Sequence, residues 1–102
     1  MKRLGQAQLK VLEAIASGTG YGFDIMDQTA LASGSVYPAL AKLEKSGLLR
    51  SRWESAVVAR RDKRPPRRYY EITAAGHDAI ADALAEARSL ARSLARTVKE
   101  SS

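Results

Sequence analysis

Apolar residues recur along this chain with two periods, and the change from one to the other lays out its elements. From Gln6 to Ser17, Leu9, Leu12, Ile15 and Ala16 share one side of a 3.6-residue repeat, and Gly18 follows as a stop; the pattern predicts a first helix. Gly18-Thr19-Gly20-Tyr21-Gly22 reads as a turn into a short second helix over Phe23–Gln28, with Phe23, Ile25 and Met26 as its apolar members. Residues 29–34 turn again. A third helix then opens at Ser35, whose hydroxyl suits an N-cap. That start puts Pro38 at the third helical position, where its missing amide hydrogen is harmless. Val36, Leu40 and Leu43 recur at i, i+4, i+7 and face a core, while Ser35, Tyr37, Pro38, Lys42 and Lys45 are left outward. Gly47 supplies the stop.

After Gly47 the period shortens to two. Leu48–Glu54 and Arg68–Thr73 have strand character, the second with Tyr70 and Ile72 alternating with Glu71. They would pair as an antiparallel hairpin with a long tip over 56–67, and Pro65-Pro66 forbids the ladder from continuing there. Two short helices joined by a turn and followed by a hairpin predict a winged helix-turn-helix: a mainly α chain with a small β-hairpin, α+β in class. It would occupy residues 1–73, with the wing at about 49–73.

Thr73 suits the N-cap of a last helix running to about Lys99. Its apolar positions Ile80, Leu84, Ala87, Ala91, Leu94 and Val98 are spaced by three and four, opposite Asp82, Glu86, Arg88, Arg92 and Arg96. Such a stripe is too long for a small core to cover, and alone in water the helix would be marginal. Residues 74–99 are therefore expected to pair with the same helix of a second copy, leaving a tail at 100–102. Folding back on its own domain is the alternative.

Charge sharpens this picture. The chain has 102 residues and a formal net charge of +6, and the whole excess sits in one stretch. Residues 50–70 hold eight cations, Arg50, Arg52, Arg60, Arg61, Lys63, Arg64, Arg67 and Arg68, against Glu54 and Asp62 alone; elsewhere the charges balance. A localised excess directly after an outward polar helix face points to a polyanion contact. Double-stranded DNA is the expected partner. Ser33, Ser35, Tyr37 and Pro38 would meet the groove, Lys42 a phosphate beside it, and Arg60, Arg61, Lys63, Arg64 and Arg67 the backbone or a narrow minor groove. Trp53 is expected to pack between wing and last helix. Tyr69 and Tyr70 point to opposite faces, so one should be buried and one exposed.

Other chemistry is scarce. There is no cysteine, which excludes disulfides and thiolate metal sites and fits a cytoplasmic location. No apolar run is long enough to span a membrane. His77 is the one histidine and reads as a surface residue, so no metal or other cofactor site is expected. No Ser/His/Asp set or phosphate-cradling glycine loop suggests an enzyme.

Specific segments carry a resemblance. Tyr21-Gly22, then Gly34-Ser35-Val36-Tyr37-Pro38-Ala39-Leu40, Lys42-Leu43-Glu44, Gly47-Leu48, Trp53, and Tyr69-Tyr70-Glu71-Ile72-Thr73 with Gly76 resemble the PadR family of bacterial transcriptional regulators over about residues 4–78. The resemblance implies a winged-helix homodimer on a near-palindromic operator, usually a repressor, in some members released by a small aromatic or cationic effector. This chain departs from the pattern in three places. The segment from Met26 to Gly34 is short, Lys63-Arg64-Pro65-Pro66-Arg67-Arg68 is more basic than the usual wing, and the last helix has no aromatic residue on which a ligand could stack. Two other readings of the same residues stay open: a winged-helix module that meets an acidic protein, and a nucleic-acid-binding protein without operator specificity.

Overall fold

The computed structural model describes residues 3–101, and the element order is five helices and one hairpin: α1 Gln6–Ala16, α2 Gly22–Thr29, α3 Ser33–Lys45, β1 Leu49–Trp53, α4 Ala56–Arg61, β2 Arg68–Ile72 and α5 Ala74–Ser101. Residues 1, 2 and 102, at the ends of the expected domain and tail, lie outside the described residues. The tail expected from residue 100 is helical through Ser101. None of the described helices is long and apolar enough to cross a membrane.

The core forms where α1, α2, α3 and β1 converge. Val11, Leu12, Ile25, Val36, Leu40 and Leu43 are fully enclosed there, and Leu49 closes it from the sheet. The inward set of α3 is the expected one. On α1 the buried face is instead Val11, Leu12, Ala14 and Ile15, with Ala16 in solvent and Leu9 half-covered. Phe23, expected among the apolar contacts of α2, is exposed; Ile25 carries that packing.

The third helix starts earlier than its serine suggested. Ala32 is the N-cap, with no side-chain bond, and the amides of Ser35 and Val36 both donate to its carbonyl. Ser33 and Ser35 therefore lie in the first turn, and Pro38 is the sixth helical residue rather than the third. It has no amide to offer the Gly34 carbonyl, and Gly34 itself is an exposed residue.

In the sheet, β1 and β2 pair antiparallel with Leu49 opposite Ile72, Ser51 opposite Tyr70 and Trp53 opposite Arg68. A third, minimal strand lies on the other edge of β2. The Tyr70 amide donates to the Gly20 carbonyl at 2.7 Å, and Tyr21 bridges Tyr69. The hairpin is thus tied to the turn that starts α2.

Thr73 caps α5 as its sequence position suggested. Its hydroxyl accepts from the Gly76 amide at 3.1 Å and donates to the Gly47 carbonyl at 2.7 Å, joining the start of α5 to the end of α3. Gly47 takes φ +78°, the left-handed conformation that ends α3. Gly76 is required for a different reason. A Cβ there would lie 2.3 Å from the Leu48 carbonyl oxygen and 2.6 Å from Ile72 Cγ1. Gly76→Ala should therefore destabilise the fold by about 2–3 kcal/mol, as overpacking against fixed backbone does. For a chain of this size that lowers Tm by roughly 10–20 °C in calorimetry; an unchanged Tm would contradict the close approach.

At 1.5 Å per residue, α5 is about 42 Å long, and the molecule measures 63 × 25 × 20 Å. Among the described residues the first half of α5 meets its own domain, out to Glu86, which pairs with Arg3 at 3.6 Å. Ile80 packs against the core together with Ala79, so the first residue of the expected seam belongs partly to the domain itself. Ala83 and Leu84 form one wall of an open groove whose other wall is Gln6, Leu9, Lys10 and Glu13 of α1. Farther along, Leu90, Leu94 and Val98 are exposed, as are Ala87 and Ala91.

Candidate nucleic-acid interface

The groove-reading candidates share one side of α3. Ser33, Ser35, Tyr37, Pro38 and Lys42 are all exposed, and Val36, Ala39, Leu40 and Leu43 turn the opposite side into the core. Tyr37 is held rather than free. Its ring lies over Gly22 in the first turn of α2, where a Cβ would come within 2.8 Å of the hydroxyl oxygen, yet half of its surface (50%) remains open to solvent. Gly22 is the seat of this ring, a role that its place in a glycine-rich turn did not reveal.

The wing tip departs most from the sequence reading. Residues 56–61 form α4, a short helix inside what was expected to be a loop. Ser55 caps it, its hydroxyl accepting from the amides of Val57 and Val58 at 3.1 and 3.4 Å. At the other end the Arg64 amide donates to the Ala59 carbonyl and the Lys63 amide to the Arg60 carbonyl, both at 3.1 Å, with Lys63 at φ +56°. This is a Schellman closure with lysine in the left-handed position usually given to glycine. Ala59 is buried and anchors the helix.

The cations are unequal in what they can do. Arg50 and Arg52 share Glu71 at 3.6 and 3.2 Å, and Arg68 reaches Glu44 and Ser51. Arg67 lies over the Tyr21 ring at 4.2 Å from its centroid and is partly covered. Arg64, expected on a phosphate, is turned inward: its guanidinium grips both carboxylate oxygens of Glu54 and adds a bond to Asp62 at 3.2 Å. Its side chain is 22% exposed and that of Glu54 only 9%. Arg60, Arg61 and Lys63 remain at the surface, with Arg61 in a loose exposed pair with Asp62 at 3.5 Å. Exposed pairs of that kind contribute little and exchange readily for a phosphate.

Glu54 is the hub. Besides Arg64 it accepts from the Arg67 amide at 3.3 Å and the Tyr69 hydroxyl at 3.4 Å. The Arg64 guanidinium, opposed by desolvation and helped by the Arg67 amide, holds its carboxyl down to about 2. Tyr69 also meets Tyr21 edge-on at 5.7 Å between centroids, whereas Tyr70 packs toward the core, where burial raises its phenol above the ordinary value. The two tyrosines do take opposite faces, but both are half-buried. Trp53 is 64% exposed and stands beside the Arg68 guanidinium at 5.6 Å, not packed between wing and α5. Among the described residues no group of His, Asp or Glu could hold a metal ion.

A three-helix core with an outward polar helix and a cationic hairpin defines a winged helix-turn-helix protein. The sequence matches the family model described as "Transcriptional regulator PadR-like family" over residues 11–82, and the chain belongs to that family of DNA-binding transcriptional regulators, which are not enzymes. No curated protein matches it significantly. Solved structures share its fold. A PadR-like transcription factor of Bacteroides fragilis is 23% identical with a TM-score of 0.75, over 88% of this chain and 87% of that one. A PadR family regulator of Clostridium difficile is 21% identical with a TM-score of 0.74, over 92% and 99%. BpsR of Bordetella bronchiseptica, whose DNA binding is regulated by 6-hydroxynicotinic acid, is 20% identical with a TM-score of 0.69, over 89% of this chain and 64% of its own.

Proposed function

We propose that this regulator is a homodimeric repressor of a near-palindromic operator, with α3 in the major groove and the wing along the adjoining backbone. The observation that carries the reading is the division of α3, which buries every apolar residue of its inner side and leaves Ser33, Ser35, Tyr37, Pro38 and Lys42 together in solvent. A helix that presents hydroxyls, a tyrosine and a lysine, with no acid among them, suits a groove lined by acceptors and flanked by phosphates. Arg60, Arg61 and Lys63 on the wing supply the sequence-independent part of the affinity. Dimerisation through Leu84, Ala87, Ala91, Leu94 and Val98, continuing from Ile80, would bring two such surfaces to two half-sites. Release by a small effector is the finer part of the reading, and the ligand control of BpsR supports it.

The test is a titration of duplexes from the DNA upstream of the gene, beside a random duplex, at several salt concentrations. The expected result is two chains per specific site, a steep fall of affinity with salt, and a preference over random DNA of at least about 10³. Equal affinity for every duplex would make this a non-specific binder. Failure to bind any duplex would favour the protein-interaction reading. Within the specific complex, Lys42→Ala should weaken all sequences alike, while Tyr37→Ala should also relax base preference.

A further inference from the structure

The wing of this chain carries a helix that its size alone would not hold. Six residues are far too few for a helix to persist in water, and α4 sits at the far end of a two-stranded hairpin. Its sequence supplies a cap at Ser55 and a buried anchor at Ala59, but its exit is set by the left-handed residue Lys63, which favours no particular closure by itself. What closes it is a cross-link. Glu54 is the last residue before the cap, Arg64 is the last residue of the Schellman turn, and their side chains meet in two parallel hydrogen bonds, one of them at 2.8 Å. The Glu54 amide donates to the Arg67 carbonyl at 2.7 Å, so the same residue also fixes where the chain re-enters β2.

We propose that Glu54 and Arg64 are the positioning pair of the wing: they hold α4 folded before DNA arrives, so that Arg60, Arg61 and Lys63 meet the backbone already ordered. This inference rests on the DNA-binding reading given above. It assigns Arg64 to holding the wing and not to the phosphates. It also gives an acidic residue in a cationic wing a role in favour of binding a polyanion. Ordering a cationic segment at the moment of contact subtracts from affinity, and a segment ordered beforehand avoids that loss. The carboxylate stays ionised far below neutral pH, so the pair is present throughout the range in which DNA binding is measured.

The prediction opposes simple charge counting. Glu54→Gln raises the net charge by one and frees a guanidinium, so counting charges says that DNA binding tightens. The positioning pair says that it weakens, by about threefold to tenfold on a random-sequence duplex. The slope of log affinity against log salt should not fall, because no phosphate contact is removed. Hydrogen exchange on the free protein gives the second readout: amides of residues 59–64 protected in the wild type should lose protection in Glu54→Gln, with circular dichroism and melting of the whole chain retained. Affinity equal to or above wild type would overturn the proposal, and so would weaker binding with protection intact.

Should Glu54→Gln fail to fold, Arg64→Gln breaks the pair from its less buried side. It should show the same loss of protection and affinity at an unchanged salt slope. A slope shallower by about one unit would make Arg64 a phosphate contact and overturn the assignment. A wild-type protein that binds no duplex refutes the DNA reading instead, and the exchange experiment still decides whether the pair holds α4.

Discussion

Leu94→Glu should turn a dimer into a monomer. In sedimentation at micromolar concentration the wild type is expected to run as two chains and the variant as one. Leu84 and Leu94 are 49% and 56% exposed in the single chain, on a helix whose last turns project beyond its own domain. A hydrophobic stripe of that length is stable in water only when something covers it. A carboxylate forced into the seam without a partner costs on the order of 3–5 kcal/mol, and a two-fold axis introduces it twice. The dissociation constant should therefore rise by at least about 10³. Operator affinity should fall with it, because each half-site would then be bound alone. A variant that still sediments as the wild-type dimer places the seam elsewhere on the chain.

The second large effect is expected at the wing. Replacing Arg60, Arg61 and Lys63 with glutamine removes the cations that the structure leaves at the surface of the tip, and spares Arg64 and the Glu54 pair. Each lost phosphate contact lowers the salt slope by about 0.9, so three should lower it by nearly 3. At about 0.1 M salt this corresponds to a loss of affinity of roughly 10²–10³. The loss should be similar for operator and random DNA, since backbone contacts position the protein and carry little sequence information. Dimerisation and Tm should stay as they are. A triple variant with wild-type affinity and slope would mean that the wing meets something other than DNA.

The parts of the fold legible in the sequence are those written in periodicity. The inner face of α3, the two strands, and the cap at Thr73 follow from spacing and from residue types whose chemistry is local. The start of α3 did not, because Ser35 is a good cap in isolation while the chain uses the backbone of Ala32 and lets Pro38 sit deeper in the helix. The wing helix was hidden by length and composition. Ser55 before Ala56-Val57-Val58-Ala59 is a start signal, but two adjacent β-branched residues and the prolines after it read as a tip. The cationic cluster was visible as a sum and not as a partition. Which arginine turns toward Glu54 depends on where the two ends of α4 meet, and no one-dimensional pattern encodes that distance.

Lys63 shows where this chain has accepted a weaker fold. At φ +56° a glycine would relieve the backbone, and replacing it would be expected to stabilise α4 by about 1 kcal/mol. A search for heat-resistant variants would therefore favour Lys63→Gly, and the same change would delete one of the three surface cations of the tip. The residue with the least comfortable backbone in the wing is also one of those best placed to touch a phosphate. Stability and activity would trade against each other at that position, and selection for one should be visible as loss of the other.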